Sequence, residues 1–269
     1  MTTSADRARL FRSLHGGGSI LALPNAWDVA SARLVEDAGA AAIATTSAGV
    51  AWSLGAPDGD RLGRDRAVEL VARIVAAVDV PVTADIEGGY ADDADGVADT
   101  IRAVLAAGAV GVNLEDAAHG GSEPLLPVAE QAARISAARA AAGDGLFLNA
   151  RIDTYLRGVP DPLAETLRRA AAYLAAGADG IFVPGVTDPG VIATLVEGVD
   201  APLNVMAGPG APPVPDLAKL GVARVSLGSS VAQAAYAVAR RAARELLTDG
   251  TYSALEDALD YGELNALLG

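Results

Sequence analysis

The chain has 269 residues, 51% of them apolar, which is enough to bury one sizeable core, and a single (β/α) barrel commonly takes about 250. A formal net charge of −14 argues against nucleic acid or an anionic membrane surface as a partner, because those interfaces need stripes of Lys and Arg to displace counterions. Cysteine is absent, which excludes disulfides, thiolate metal ligands and a thiol nucleophile or acid.

Met1 to Arg12 lacks the apolar core of an export signal, and no apolar run of about 18 residues occurs, so a cytoplasmic protein with no membrane span is expected. Residues 4 to 14 set Leu10, Phe11 and Leu14 at helical spacing before Gly16 to Gly18 interrupt, which predicts a leading helix that plugs or caps a barrel. Ile20 to Asn25 is a short apolar run, and Asp28 to Asp37 is helical and stops at Gly39, giving one βα unit.

The cycle then repeats. Strand-like runs are Ala41 to Ser47, Pro81 to Glu87, Val110 to Glu115, Leu146 to Ile152, Gly180 to Pro184, Pro202 to Ala207 and Val222 to Leu227. Helix-like segments fall near 61–78, 91–107, 128–142, 162–176, 188–198, 214–220 and 230–247. Ala38-Gly39-Ala40, Ala107-Gly108-Ala109 and Ala176-Gly177-Ala178 close helices in the same way, with glycine in the left-handed turn before the next strand. The strands are continuously apolar, as in a parallel sheet covered on both faces. Eight units favour an α/β fold, a closed (β/α)8 TIM barrel with an N-terminal helix and a C-terminal helical extension. Residues 1–269 form one domain. In the tail, 251–269, Leu255, Leu259, Tyr261, Leu264, Leu267 and Leu268 need an apolar surface, either their own barrel or a neighbouring subunit.

Active sites of such barrels lie at the C-terminal ends of the strands, and residues two apart on a strand share a face. Asp85 and Glu87 therefore share one face, as do Asn113 and Glu115, and Asn149, Arg151 and Asp153. Carboxylates gathered from successive strands suit a hard, oxygen-liking cation, with Arg151 presenting its planar fork to a substrate carboxylate. The same residues also fit a structural ion-pair network of Arg151 with Glu115 or Glu87.

The runs Pro24-Asn25-Ala26-Trp27-Asp28, Thr45-Thr46-Ser47-Ala48-Gly49, Leu54-Gly55-Ala56-Pro57-Asp58, Thr83-Ala84-Asp85-Ile86-Glu87-Gly88-Gly89-Tyr90, Asn113-Leu114-Glu115-Asp116 and Asn149-Ala150-Arg151 occur in this order. Together they resemble the isocitrate lyase / phosphoenolpyruvate mutase superfamily, from about residue 20 to about residue 230. The resemblance implies Mg²⁺, with Mn²⁺ as a substitute, held by Asp85 with Asp58, Glu87 and Glu115 directly or through water. It implies a turn at Thr46, Ser47, Ala48 and Gly49 whose N–H groups and hydroxyl meet a substrate oxyanion, and Arg151 on a substrate carboxylate. The implied reaction makes or breaks a bond beside a 2-oxo carboxylate through an enolate, on a small carboxylate substrate, in a homodimer or homotetramer.

This chain departs from the superfamily in its proton donor. Where isocitrate and methylisocitrate lyases carry a Lys-Arg-Cys-Gly loop, it reads Asp116-Ala117-Ala118-His119-Gly120-Gly121-Ser122-Glu123-Pro124. His119 is the acid or base left in that loop. Asn204, on the seventh strand run, is a candidate for the pocket wall, and equally for a buried amide serving its neighbours. The leading expectation is a Mg²⁺-dependent carbon–carbon lyase. Phosphorus–carbon cleavage or transfer, oxaloacetate hydrolysis, a phosphate cradle at Gly208-Pro209-Gly210 and Gly228-Ser229-Ser230, and a non-catalytic ligand-binding barrel are the alternatives.

Overall fold

A computed structural model describes residues 3–16, 18–119 and 123–269. Nine strand segments run in parallel: β1 (Leu21–Leu23), β2 (Asn25–Ala26), β3 (Ile43–Thr45), β4 (Val82–Asp85), β5 (Gly111–Glu115), β6 (Phe147–Arg151), β7 (Gly180–Val183), β8 (Leu203–Met206) and β9 (Arg224–Ser226). Their order is β1-β9-β8-β7-β6-β5-β4-β3-β2, so β1 and β2 are the two halves of one strand, split at Pro24. Proline has no N–H for the ladder. Asn25 closes the gap with its side chain, whose Nδ2 donates to the Thr45 carbonyl at 3.0 Å and whose Oδ1 accepts from the Leu227 amide at 2.9 Å. The result is the expected eight-stranded barrel.

The helices are α1 (Ser4–Leu14), α2 (Val29–Asp37), α3 (Ser47–Ser53), α4 (Arg64–Ala77), α5 (Ala94–Ala106), α6 (Val128–Ala142), α7 (Pro162–Ala175), α8 (Pro189–Gly198), α9 (Val214–Lys219), α10 (Ser230–Thr248) and α11 (Tyr261–Leu268). Gly108 and Gly177, which end α5 and α7, have φ of 89° and 106°, the left-handed turn read from the sequence. Strand side chains alternate. Val112, Leu114, Leu148, Ala150, Ile181, Leu203, Val205 and Val225 join the core beneath the helices, which leaves Asn113, Glu115, Asn149, Arg151, Asn204 and Arg224 facing the barrel interior.

The floor of the barrel is plugged by α1. Phe11 is fully buried among Leu21, Leu23, Ala42, Ala44, Val110 and Phe147. A Cβ on Gly111 would stand 2.6 Å from the Phe11 ring, so only glycine admits the plug there. His15 stacks on Phe147 at 3.9 Å between centroids, and its Nδ1 lies 2.9 Å from the Phe11 carbonyl. Burial, aided by the charge of Arg224, lowers its pKa to about 4, which keeps the ring neutral.

The two C-terminal helices behave differently. α11 packs against α2, with Arg33 Nε donating to the Leu267 carbonyl at 3.0 Å. Of the nineteen residues of α10, Ala232 alone is buried, while Tyr236, Val238, Leu246 and Leu247 are exposed. Among the described residues, no helix is long and apolar enough to cross a membrane.

Candidate metal and active site

Strand β4 delivers Asp85 to the mouth, where its backbone N–H is fixed by Thr45 Oγ1 at 2.9 Å and its Oδ2 accepts the Ser47 amide at 3.2 Å. The expected turn at Thr46 to Gly49 is instead the start of a helix, α3, with Thr46 at its N-cap. The apolar Ala48, Val50 and Ala51 wind inward and are buried, which is why the segment coils rather than turns. The Ser47 amide is therefore spent on Asp85, while Ala48 and Gly49 lie in a first turn whose amides have no acceptor within the helix. Gly49 has a packing duty as well, since a Cβ there would meet Trp27 and Thr46 at 2.8 Å.

Alternation does not carry Glu87 onto the face of Asp85, because β4 ends at Asp85 and Glu87 has a left-handed φ of 52°. Glu87 instead points at the loop between α3 and α4, where its Oε2 accepts the Gly59 amide at 2.7 Å and the Asp60 amide. This brings in Asp60, a residue the motif reading passed over. Its signal was an Asp-Gly-Asp loop whose second acid follows Asp58 by two. Asp58 itself is exposed on this loop, near enough for its charge to act on both Asp85 and Glu87.

Arg151 extends from β6 into a tight set of contacts. Its Nε and Nη2 donate to the two oxygens of Asp153 at 2.7 and 2.9 Å, and its Nη1 forms an ion pair with Glu115 Oε2 at 2.7 Å. Asp85 Oδ2 stands 3.9 Å from the same Nη1. Asp153 does not continue the strand face, since β6 ends at Arg151 and the chain folds back so that the carboxylate clasps the guanidinium. Burial works against the charge of Arg151, yet Glu115, Asp153 and Asp85 outweigh it and raise its pKa. Glu115 has its other oxygen, Oε1, on His119 Nε2 at 2.8 Å, and that bond raises the histidine's pKa. The expected loop histidine is thus brought to the carboxylates. Gly120, Gly121 and Ser122 of the same loop lie outside the described residues.

Among the described residues, three buried acidic oxygens are left without any hydrogen-bond partner: Asp85 Oδ1, Glu87 Oε1 and Asp60 Oδ1. Burial raises the pKa of Asp85 to about 6 and of Glu87 to about 7, and raises that of Asp60, with the neighbouring acids adding to the shifts at Asp85 and Glu87. Among the described residues, no three His, Asp or Glu side chains are placed so that they could together hold a metal ion as they stand. The donor set nonetheless fits a hard divalent cation, since orphaned carboxylate oxygens need a positive charge and Arg151, the guanidinium beside them, is paired mainly with Asp153 and Glu115. Asp85, Glu87 and Asp60 would hold it, with Asp58 beside them. Glu115 has both oxygens occupied and contributes charge. A cleft of about 390 Å³, lined by Asp60, Gly88, Ala117, Ala118, His119 and Arg134 among others, opens beside this cluster.

The remaining candidate, Asn204, faces the interior from β8 at 1% exposure, and neither atom of its amide has a partner. The motif reading had no place for Arg224, on β9, which has a Cα register with Asn204. An arginine inside the apolar run Val222 to Leu227 was its signal.

Comparison with known proteins agrees with this architecture. The chain matches the phosphoenolpyruvate phosphomutase family over residues 11–247. It is 40% identical over 258 residues to an uncharacterised protein of Mycobacterium tuberculosis (strain H37Rv), covering 96% of this chain and 95% of that one. A candidate lyase/mutase from Burkholderia cenocepacia J2315 superposes with a TM-score of 0.92 at 41% identity, covering 98% and 95%. Phosphonopyruvate hydrolase in complex with oxalate and Mg²⁺ superposes at 0.85 with 27% identity, covering 97% and 94%. A 2,3-dimethylmalate lyase does so at 0.86 with 25% identity, covering 98% and 94%. The chain belongs to the phosphoenolpyruvate phosphomutase family, within the isocitrate lyase / phosphoenolpyruvate mutase superfamily of lyases, mutases and hydrolases.

Proposed function

We propose that this protein is a Mg²⁺-dependent carbon–carbon lyase acting on a small 2-hydroxy or 2-oxo di- or tricarboxylate through an enolate. The observation that carries this reading is the trio of buried, unpartnered acidic oxygens on Asp85, Glu87 and Asp60 beside a loop histidine. A bound Mg²⁺ supplies Lewis-acid polarisation of the oxo and carboxylate oxygens. A phosphonopyruvate hydrolase seen with oxalate and Mg²⁺, and a dimethylmalate lyase, support the metal and the class of acid.

The chain's own groups divide the remaining work. The amides at the start of α3 offer donors to a developing oxyanion. Arg151 fixes Glu115, which orients His119 through Nε2. A carboxylate bonded to the ring raises the pKa of His119 and so helps it hold a proton, which places His119 to return that proton to the carbanion side of the cleaved bond. Arg151 screens the acids so that a substrate carboxylate can approach. The subunit is proposed to pair into a dimer or dimer of dimers through the exposed apolar residues of α10, and sedimentation showing only monomer at micromolar concentration would remove that part.

The test is turnover of a panel of oxo and hydroxy acids with Mg²⁺ against an EDTA control, in wild type and in Asp85→Ala. Carbon–carbon cleavage that needs metal and Asp85 supports the reading. Turnover of phosphonopyruvate alone would move it to phosphorus–carbon chemistry, and no metal-dependent turnover in a folded protein would refute it.

A further inference from the structure

The barrel strands carry two arginines, and their circumstances are opposite. Arg151 has all three nitrogens paired with carboxylates, two by hydrogen bonds and one by an ion pair. Arg224 is 1% exposed, and its Nε, Nη1 and Nη2 have no hydrogen-bond partner among the described residues. It faces the interior, because the next residue, Val225, joins the core outside the barrel wall. Its register neighbour Asn204 faces the same way, with both amide atoms unpartnered. Thr83 Oγ1, on the inward face of β4, is a further orphan.

An unpaired buried guanidinium is strongly disfavoured, and an ordinary internal water does not offset this, because water satisfies the N–H groups and leaves the charge uncompensated. Burial lowers the pKa of Arg224 to about 10, so the charge persists at neutral pH. The negative group it feels is Asp85, whose Oδ1 is itself unpartnered, and no ion pair joins the two. Cation and acid therefore face a common interior, with a polar amide between strands and nothing bridging them. The next inward residue toward the mouth on β8 is Met206, a half-buried flexible thioether that can move aside.

We propose that Arg224 and Asn204 form a carboxylate subsite inside the barrel, so that the acid bound here carries a second carboxylate. The ligand is a dicarboxylate, one end at the acidic cluster and the other on the planar fork of Arg224, a pairing that neutralises charge and fills donors together. This rests on the proposed function for the first end, while the second end is a property of Arg224 alone.

Malate and lactate separate the two ends, since they share a 2-hydroxy carboxylate and differ in the distal one. With Mg²⁺ present, calorimetry is expected to show malate binding roughly tenfold or more tighter than lactate in wild type, the worth of one charge-assisted pair. The advantage disappears in Arg224→Met and survives in part in Arg224→Lys, while lactate and Mg²⁺ affinities stay within about twofold. An equal malate preference in Arg224→Met, or none in a wild type that binds Mg²⁺ and lactate, overturns the subsite and marks Arg224 as merely hydrated. If wild type binds no Mg²⁺, the proposed function fails. The subsite is then read in EDTA, as saturable thermal stabilisation by malate, which must be lost in Arg224→Met. Should that variant not fold, Arg224→Lys and Asn204→Ala must each weaken malate more than lactate, and an unchanged ratio in both refutes the proposal.

Discussion

Two kinds of buried carboxylate occur at the ends of neighbouring strands of this barrel and obey opposite rules. Asp116 is fully buried, yet each of its oxygens is satisfied: Oδ1 accepts the Asp153 amide at 2.9 Å, and Oδ2 accepts Arg169 Nη1 at 3.0 Å and the Tyr173 hydroxyl at 2.8 Å. Asp85, Glu87 and Asp60 keep an oxygen each without a partner. Burial is common to both groups and so identifies neither. What distinguishes a site from scaffolding here is the unanswered charge.

The largest effect should come from breaking the closed network. Asp116→Ala removes the shared acceptor of Arg169 Nη1 and the Tyr173 hydroxyl, leaves Arg169 with Glu165 alone as its acid, and frees the Asp153 amide, so a loss of about 3 kcal/mol is expected in denaturant unfolding. Since Asp153 clasps Arg151, the damage should spread to the mouth. A loss below about 1 kcal/mol would show that the network is not structural.

His119→Gln should leave the unfolding midpoint nearly unchanged and lower the turnover rate by about 10²- to 10⁴-fold, as for a lost general acid. Asp85→Asn should behave inversely to Asp116→Ala, raising metal-free stability at pH 8 by about 2 kcal/mol through removal of an unfavourable buried charge, while abolishing the response to Mg²⁺. Destabilisation of the metal-free protein by this change would erase the contrast between the two groups.

The pH dependence should be the subtlest readout. The folded pKa values of Asp85 and Glu87, about 6 and about 7, lie above the unfolded 3.8 and 4.5. Between those limits the folded state holds more protons than the unfolded state, so their contribution falls as pH rises from about 4 to about 7. Below that window the penalty is absent, and above it the penalty is complete. Other groups titrate nearby, His15 in the opposite sense. The comparison that isolates the pair is wild type against Asp85→Asn/Glu87→Gln, both metal-free, and parallel curves would contradict it.

Much of this was legible in the sequence because it repeats. Apolar runs and helix-closing glycines located every barrel strand, and the motif around Asp85 led to the mouth. Strand periodicity failed where strands end, since Glu87 and Asp153 sit past the last ladder residue and take their directions from loop amides and from Arg151. Nor can periodicity reveal that Arg151 is fully occupied and Arg224 is not, because pairing depends on which strands close the barrel. Asn25 shows the same point: a motif residue whose duty is to mend the ladder beside Pro24.

The central claim is that the orphaned oxygens of Asp85, Glu87 and Asp60 await a divalent cation. Titrating Mg²⁺ into wild type at pH 6.5 in two buffers of different ionisation enthalpy tests it directly. Saturable binding at one ion per chain with release of protons is expected, lost in Asp85→Asn. Absence of binding, or equal binding by the variant, would contradict it.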